Sequence, residues 1–253
     1  MIVNRDVLEA EFVPSEILHR HSEIEHLSAV LDPLQSGGRV DGALLYGPTG
    51  TGKTCTSQWL LERLEQQHDD IHTTHIDCWS NSSRAAVLHR LNEAVNGPER
   101  TRLTRSSPAD EIVRKLKHDL EQPFVVILDE ADQVEEEVVL YELYETPNVT
   151  TLLIANDDAE FFAPLADRVG SRLTTLPRLE FPAYEPDELV SILEERADHG
   201  LRPDAIGPDC LEVIARTADG DARVAIGILR NAAEKARATG ADRISNEIVL
   251  EVA

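Results

Sequence analysis

Eight consecutive residues carry the clearest chemical pattern in this chain. Residues 47–54 read G-P-T-G-T-G-K-T, which matches the phosphate-binding pattern G-x-x-x-x-G-K-[ST] at every position. Glycines let backbone N–H groups curl around phosphates, and a helix that begins at the end of such a loop adds partial positive charge. In this pattern the Lys53 ammonium would contact the β- and γ-phosphates, and the Thr54 hydroxyl would bind Mg²⁺. The motif predicts an ATP/ADP and Mg²⁺ site formed by Gly47, Pro48, Thr49, Gly50, Thr51, Gly52, Lys53 and Thr54. The alternative is a glycine-rich turn that carries a surface lysine.

A pair of acidic residues follows the most apolar short segment of the chain. Asp129 and Glu130 come directly after residues 124–128, which read F-V-V-I-L. The carboxyl end of a buried parallel strand is where open α/β sheets bind ligands. We therefore expect Asp129 to hold Mg²⁺ through water, and Glu130 to orient and deprotonate the attacking water. The alternative is two solvated acids that cap a strand.

Strand and helix patterns alternate along the chain as far as Pro182. The predicted strands are 43–46, 71–77, 124–128, 150–155 and 176–181, and the helical patterns between them are 15–35, 53–67, 84–95 and 109–121. After Pro182 the patterns are helical only, at 186–198, 208–218, 221–238 and 245–252. The predicted fold class is therefore α/β, with a five-stranded parallel sheet flanked by helices in an ATPase domain at 1–182. A small all-helical domain is predicted at 183–253.

The charge balance is strongly acidic. Asp and Glu number 47 against 24 Lys and Arg, which gives a formal net charge of -23. The acids are spread along helical patterns, so the composition favours a protein from a high-salt cytoplasm over a disordered acidic tail. This charge argues against a broad nucleic-acid-binding surface. The three cysteines show no CxxC spacing, and neither a signal peptide nor an apolar stretch near ~20 residues is found, so we expect a cytoplasmic protein without a membrane partner.

A family resemblance rests on these motifs and on several others. Residues 47–54 and 128–132 resemble the AAA+ superfamily, and the chain is similar to its archaeal replication initiators, which are related to the origin recognition complex and the cell-division-control loaders. The likeness covers nearly the whole chain. The further segments that carry it are Phe12-Val13-Pro14 with His19, Arg20 and Glu23, Ile76-Asp77-Cys78 with Asp77 in place of the usual Asn, Ile154-Ala155-Asn156-Asp157, residues 167–173, and Gly220-Asp221-Ala222-Arg223.

The resemblance implies an AAA+ fold and roles for four further residues. It identifies 183–253 as a lid domain, places Asn156 near the γ-phosphate as a sensor residue, and places Arg223 over the phosphates from the lid. It also makes Arg168 or Arg172 an arginine finger, which acts on the site of a neighbouring subunit. Asn156 could instead cap a strand, and ordinary surface ion pairing would account for the arginines.

Members of this family contact DNA through two regions. Members usually continue past the lid into a winged-helix domain, which we expect to be missing because this sequence stops at Ala253. Members also touch DNA through a helical insertion, which is expected within 79–108. The arginines of that region are Arg84, Arg90, Arg100, Arg102 and Arg105. A solvated arginine-rich loop is the alternative.

The resemblance implies an ATP-binding, slowly hydrolysing protein that acts as a switch in replication initiation and origin recognition. Its expected partners are origin or other double-stranded DNA, and full-length initiator paralogues or further copies of itself. The alternative is a nucleotide-switched partner or regulator of full-length initiators that binds no DNA itself, which the expected lack of a winged-helix domain and the net charge of -23 favour. A clamp-loader-like subunit is a third hypothesis that the opening segment disfavours.

Overall fold

The computed structural model describes residues 1–100 and 108–253, with side chains described at 1–96 and 108–253. The chain forms two compact units, and each is discontinuous in sequence. The sheet unit comprises Ser22–Gly47 and Thr56–Glu180. The helical unit comprises Met1–His21, Pro48–Cys55 and Phe181–Ala253. The division of the sequence into domains 1–182 and 183–253 stays a prediction.

The sheet unit is built on five parallel strands. The strands are β1 Gly42–Tyr46, β2 His72–Asp77, β3 Phe124–Asp129, β4 Val149–Ala155 and β5 Arg178–Glu180. They lie side by side in the order β2, β3, β4, β1 and β5. All four neighbouring pairs are parallel. The five-stranded parallel sheet that the alternating pattern predicts is confirmed.

Two of the three interior strands, β3 and β4, are buried along nearly all of their length. All of β4 and all but the last residue of β3 are buried, which is the arrangement expected of parallel strands covered on both faces. The apolar side chains on one face of these strands form a core cluster with apolar residues of the flanking helices, among them Leu88, Leu91, Ile112 and Leu143. This core holds the carboxyl ends of β3 and β4 at a fixed place.

The helices that accompany the sheet are α1 His21–Leu31, α2 Lys53–Gln67, α3 Arg84–Arg100, α4 Ala109–Asp119, α5 Val138–Tyr144, α6 Asp158–Phe162 and α7 Asp167–Leu173. The helix predicted at 15–35 starts too early, because α1 begins only at His21. His19 has a φ of 57°, which no right-handed helix can include. The short helices α5, α6 and α7 were not predicted, since five to seven residues are too few to show a helical period.

The helical unit contains α8 Pro186–Gly200, α9 Pro208–Ala218, α10 Ala222–Thr239 and α11 Asn246–Val252. Its core includes Leu8 from the start of the chain, which is fully buried among the residues of these helices. The opening segment is also joined to the end of α8 by a bridge between Ile2 and Leu201 and by a Val3 N–H to Gly200 O bond of 2.8 Å. Among the described residues, no helix is long and apolar enough to cross a membrane.

Candidate functional site

The loop between β1 and α2 has the backbone of an anion-binding turn. Gly47, Gly50 and Gly52 adopt φ values of 142°, 73° and 88°. Residues other than glycine are strained at such positive φ values. Such a succession of turns brings several backbone N–H groups of one loop toward a common concave side. The glycines of the motif are therefore required by the conformation of the loop.

The lysine of the motif is held inside this loop. Lys53 is only 7 % exposed, and its Nζ donates a hydrogen bond of 2.8 Å to the Pro48 carbonyl. Thr51 Oγ1 donates to the same carbonyl at 2.9 Å. Although the chain is rich in acids, α2 has none in its first turn, so no acid of the helix itself offsets its N-terminal partial charge. This combination suits a bound anion.

The turn before α10 packs directly on the loop within the helical unit. The Ala222 N–H donates to the Gly50 carbonyl at 3.0 Å. Asp221 caps α10, because its Oδ1 accepts the Val224 N–H at 3.0 Å. The same carboxylate lies against Gly50, where an added Cβ would come within 1.8 Å of Asp221 Oδ1. These contacts bring the start of α10 to the loop, and Arg223 is the second residue of that helix.

Replacing Gly50 with alanine is expected to destabilise the protein by about 1–3 kcal/mol, since it adds a strained φ and displaces a helix cap. Gly227→Ala is the matched control, because Gly227 lies within α10 and an added Cβ there meets nothing within 4 Å. Urea unfolding at molar KCl measures both variants. Equal stability of Gly50→Ala and wild type would contradict the observed packing.

The acidic pair lies at one edge of the sheet unit. Because β3, β4 and β1 are parallel neighbours, Asp129 at the end of β3, Asn156 after β4 and Gly47 after β1 share the carboxyl edge. Asp129 Oδ1 accepts the Glu130 N–H at 3.1 Å, and Asp129 Oδ2 lies 3.1 Å from His75 Nε2 on β2. The Asp129 carboxylate is thus fixed from two sides.

Glu130 occupies a backbone conformation that is uncommon outside glycine. Its φ is 53°, and it precedes the short 3-10 helix Ala131–Gln133. Non-glycine residues in the left-handed region are found preferentially at functional sites, where the surrounding structure maintains the strain. Glu130 therefore does not continue the extended backbone of β3, which ends at Asp129.

Comparison with known proteins identifies the family. Residues 41–161 match the model of an AAA domain, and residues 190–253 match that of the Cdc6 AAA+ ATPase-type lid domain. The chain is 44 % identical to ORC1-type DNA replication protein 1 of Halobacterium salinarum, over all of this chain and 82 % of that protein. The chain belongs to the ORC1-type DNA replication proteins.

Solved structures agree with this membership. Over 99 % of its length this ORC1-type chain superimposes on the Aeropyrum pernix ORC1 protein in complex with DNA, with a TM-score of 0.87, 30 % identity and 69 % of that chain covered. The Aeropyrum pernix ORC2 protein in its ADPNP-ADP complexes gives 0.85, 26 % identity and 72 % coverage, again over 99 % of this chain. The predicted resemblance and the AAA+ fold are confirmed, and the halophilic source of the first relative agrees with the acidic composition.

Asp77, which stands where the resemblance leads one to expect Asn, bonds the turn that follows β2 in this ORC1-type chain. Asp77 Oδ1 accepts the Trp79 N–H at 2.9 Å, and Oδ2 accepts the Ser80 hydroxyl at 2.6 Å. Asp77 therefore stabilises the turn that follows β2. Burial, with smaller contributions from Asp129 and Asp77, raises the pKa of the adjacent Cys78 thiol to about 12, so Cys78 is a protonated core residue rather than a nucleophile.

The two finger candidates have different surroundings on α7. Arg168 Nη2 donates to the Tyr141 hydroxyl at 3.0 Å, and its guanidinium lies 4.8 Å from the centre of the Tyr141 ring. This hydrogen bond raises the pKa of Arg168. Arg172 is exposed, and its guanidinium makes no hydrogen bond or ion pair to any residue that the structure describes. Arg223 is also exposed, and its guanidinium makes no hydrogen bond or ion pair to a residue within the described ranges.

The arginines predicted to contact DNA are only partly described. Arg84 donates to both carboxylate oxygens of Glu142, at 2.8 and 2.7 Å, and to Asp110 at 2.5 Å, so its side chain is committed to two acids that raise its pKa. Arg90 contacts Asn81 and lies 3.7 Å from Glu93. The Arg100 side chain and the residues Arg102 and Arg105 lie outside the described residues.

Sequence reasoning missed the residues that hold these motifs in place. His75 beside Asp129 was not singled out, and Asp221 was quoted only as part of residues 220–223, without its contact to Gly50. For His75 the predicted strand 71–77 offered no signal of its partner, because only the register of the folded sheet pairs Asp77 with Asp129 and brings the end of β2 beside the acidic pair. For Asp221 the preceding Gly220 offered a hint of a turn, but not of its contact.

Proposed function

We propose that this ORC1-type chain binds ATP and ADP with Mg²⁺ at residues 47–54 and uses slow hydrolysis as a switch in replication initiation. The observation that carries the proposal is the loop itself. Three glycines at positive φ, a buried lysine and an acid-free helix start form an anion cradle in a chain with a net charge of -23. The Aeropyrum pernix ORC2 protein, which was solved in ADPNP-ADP complexes, supports the proposal.

In this proposal each predicted residue has one role. Lys53 and Arg223 neutralise phosphate charge, Thr54 and Asp129 supply oxygen ligands of the kind that Mg²⁺ prefers, and Glu130 with Asn156 orients the attacking water. Bound Mg²⁺ would offset the charge that develops on the phosphate oxygens. Nucleotide state would then select between conformations that partners distinguish.

Isothermal calorimetry at molar KCl tests the nucleotide site. Wild-type protein is titrated with Mg²⁺-ATP, Mg²⁺-ADP and adenosine. We expect saturable binding of both nucleotides and much weaker binding of adenosine, because the proposed contacts are with phosphates. Absence of heat above dilution for both nucleotides would overturn the proposal.

Origin DNA is the proposed macromolecular partner, contacted through residues 79–108. The Aeropyrum pernix ORC1 protein, solved in complex with DNA, supports DNA as the partner, and the contact through residues 79–108 rests on the sequence alone. Fluorescence anisotropy at molar KCl compares an origin duplex with a scrambled duplex of the same composition, with and without ATP. Retention of the origin duplex above the scrambled one in the presence of ATP is the expected result.

A second candidate function is a nucleotide-switched partner of full-length initiators that binds no DNA. The engagement of Arg84 and Arg90 by acidic or amide side chains favours it, since these arginines are then less available to phosphates. Co-purification with a full-length initiator that depends on ATP, together with equal anisotropy for both duplexes, would favour this function over the first.

If copies of the chain assemble, we expect Arg172 rather than Arg168 to act as the finger. Arg172→Ala should lower the concentration-dependent part of ATP hydrolysis by roughly tenfold or more, since a finger stabilises charge in the transition state. Arg168→Ala removes the same charge from the same helix and should have a smaller effect, because Arg168 is bound to Tyr141. ATPase rates at increasing protein concentration measure both, and a larger loss for Arg168→Ala would reverse the assignment.

A further inference from the structure

Three carbonyl groups of the phosphate loop are held by donors that lie around it. The Pro48 carbonyl accepts from Lys53 Nζ at 2.8 Å and from Thr51 Oγ1 at 2.9 Å. The Gly50 carbonyl accepts the Ala222 N–H at 3.0 Å. The Thr51 carbonyl accepts from Arg20 Nε at 2.9 Å. One donor therefore comes from the opening segment and another from the first residue of α10.

Holding a carbonyl also sets the direction of an amide. All peptide bonds in the described residues are trans, and in a trans peptide the C=O and the following N–H point in opposite directions. The bond from Arg20 to the Thr51 carbonyl thus fixes where the Gly52 N–H points. In the same way the bond from Ala222 fixes the Thr51 N–H, and the bonds to Pro48 fix the Thr49 N–H. Each of these N–H groups points away from the donor that holds its peptide.

Arg20 is itself rigidly held. It is 2 % exposed, and its other guanidinium nitrogens donate to the Pro182 carbonyl at 2.7 Å and to the His19 carbonyl at 3.1 Å. Its guanidinium carbon lies 3.8 Å from the centre of the Tyr184 ring, within the range of a cation–π contact. A side chain fixed by two other carbonyls and a ring can hold the Thr51 peptide in one orientation.

The same residues continue to the turn before α10. The Tyr184 N–H donates to the Gly220 carbonyl at 3.2 Å, and Gly220 precedes Asp221 and Ala222, which contact Gly50. The loop, Arg20, Tyr184 and the start of α10 thus form a closed ring of contacts within the helical unit. A change in the orientation of the Thr51 peptide would therefore disturb the contacts of Arg20 on one side and those of the start of α10 on the other.

We infer that Arg20 is a positioning residue for phosphate binding, which aims the Gly52 N–H through its hydrogen bond to the Thr51 carbonyl. This inference rests on the proposed nucleotide site and adds a residue outside the phosphate-binding motif to it. In this inference Arg20 affects only the binding of the phosphates, and it makes no contact with the base. Its loss should therefore weaken binding of any ligand that carries a triphosphate.

The chain offers a matched control in a second buried arginine of the helical unit. Arg196 on α8 is 4 % exposed, donates to the Val7 and Phe12 carbonyls at 2.9 and 3.0 Å, and lies 5.0 Å from the centre of the Phe12 ring. Burial lowers its pKa, but an arginine stays charged at neutral pH. None of its hydrogen bonds goes to residues 48–54. Arg196→Met therefore removes the same charge and the same kind of carbonyl contact without removing a hydrogen bond to residues 48–54.

The experiment is calorimetry at molar KCl with inorganic tripolyphosphate and with Mg²⁺-ATP, below the unfolding temperature of every variant. We expect Arg20→Met to weaken both ligands by about tenfold or more, whereas Arg196→Met stays within about twofold of wild type for tripolyphosphate. Thermal unfolding without ligand reports how far each variant is destabilised. Arg20→Lys keeps the charge but has one donor group in place of a fork, so it should fold and still lose several-fold in tripolyphosphate affinity.

The outcomes separate the inference from the function on which it rests. Wild-type affinity of Arg20→Met for tripolyphosphate, or equal losses in Arg20→Met and Arg196→Met, would overturn the positioning role alone. If only Arg20→Lys can be purified, wild-type tripolyphosphate affinity in that variant would overturn it as well. Absence of ATP and tripolyphosphate binding by the wild-type protein would overturn the proposed nucleotide site, and the inference with it.

Discussion

Lys53→Ala is expected to weaken Mg²⁺-ATP binding by about 100-fold, because a buried, charge-assisted contact contributes up to about 3 kcal/mol. The ammonium is held inside the loop by the Pro48 carbonyl and is only 7 % exposed, so water screens it little. Its removal also leaves the phosphates to face a protein of net charge -23 without their nearest cation. Calorimetry at molar KCl provides the affinity.

Lys117→Ala is the control for this prediction. Lys117 lies in the last turn of α4 and is exposed, so the variant carries the same change in net charge at a site away from the loop. We expect its ATP affinity to match that of wild type, because molar salt screens exposed charges beyond a few ångströms. Equal losses in the two variants would mean that overall charge, and not the loop, governs binding.

Glu130→Gln is expected to lower the single-turnover rate of ATP hydrolysis by about 100-fold or more while leaving ATP affinity within about threefold of wild type. The amide keeps the size of the side chain but cannot accept a proton from water. The backbone of Glu130 is held at a φ of 53° and by its N–H bond to Asp129, so the substitution should not move the chain. Radiolabelled ATP with excess protein measures the rate even when turnover is slow.

Glu62→Gln provides the comparison. Glu62 is exposed on α2 and undergoes the same change of charge and shape. It should hydrolyse ATP at the wild-type rate. A Glu130→Gln variant that hydrolyses ATP normally would exclude Glu130 as the base, and the search would move to other acids at the carboxyl edge of the sheet.

The features that the sequence predicts best are those whose physical requirements are met by neighbouring residues. The buried strand β3 was recognisable because five consecutive apolar residues meet the needs of a strand covered on both faces. The loop at 47–54 was recognisable because its backbone needs glycine at specific positions, as the positive φ values of Gly47, Gly50 and Gly52 show. Requirements of this kind are met by neighbouring residues and can be read in order along the chain.

Other features depend on residues that are distant in sequence. The start of α1 was misplaced because helical spacing at 15–20 is overridden by the left-handed backbone of His19. Arg84 is one of the arginines that the sequence predicts to contact DNA, but its guanidinium lies between Glu142 and Asp110, which no spacing rule connects to it. Likewise Arg168 and Arg172 were indistinguishable until the position of Tyr141 beside Arg168 was known.

The sequence by itself therefore determined the α/β class, the order of strands along the chain, the glycine-rich loop at 47–54 and the acidic pair after β3. Only the tertiary structure decided that Arg20, Ala222 and Asp221 hold that loop and that His75 lies beside Asp129. The reason is physical, since a loop conformation and a buried strand are set by the residues themselves. The donors that orient individual peptides and carboxylates are brought there by the packing of segments far apart in the chain.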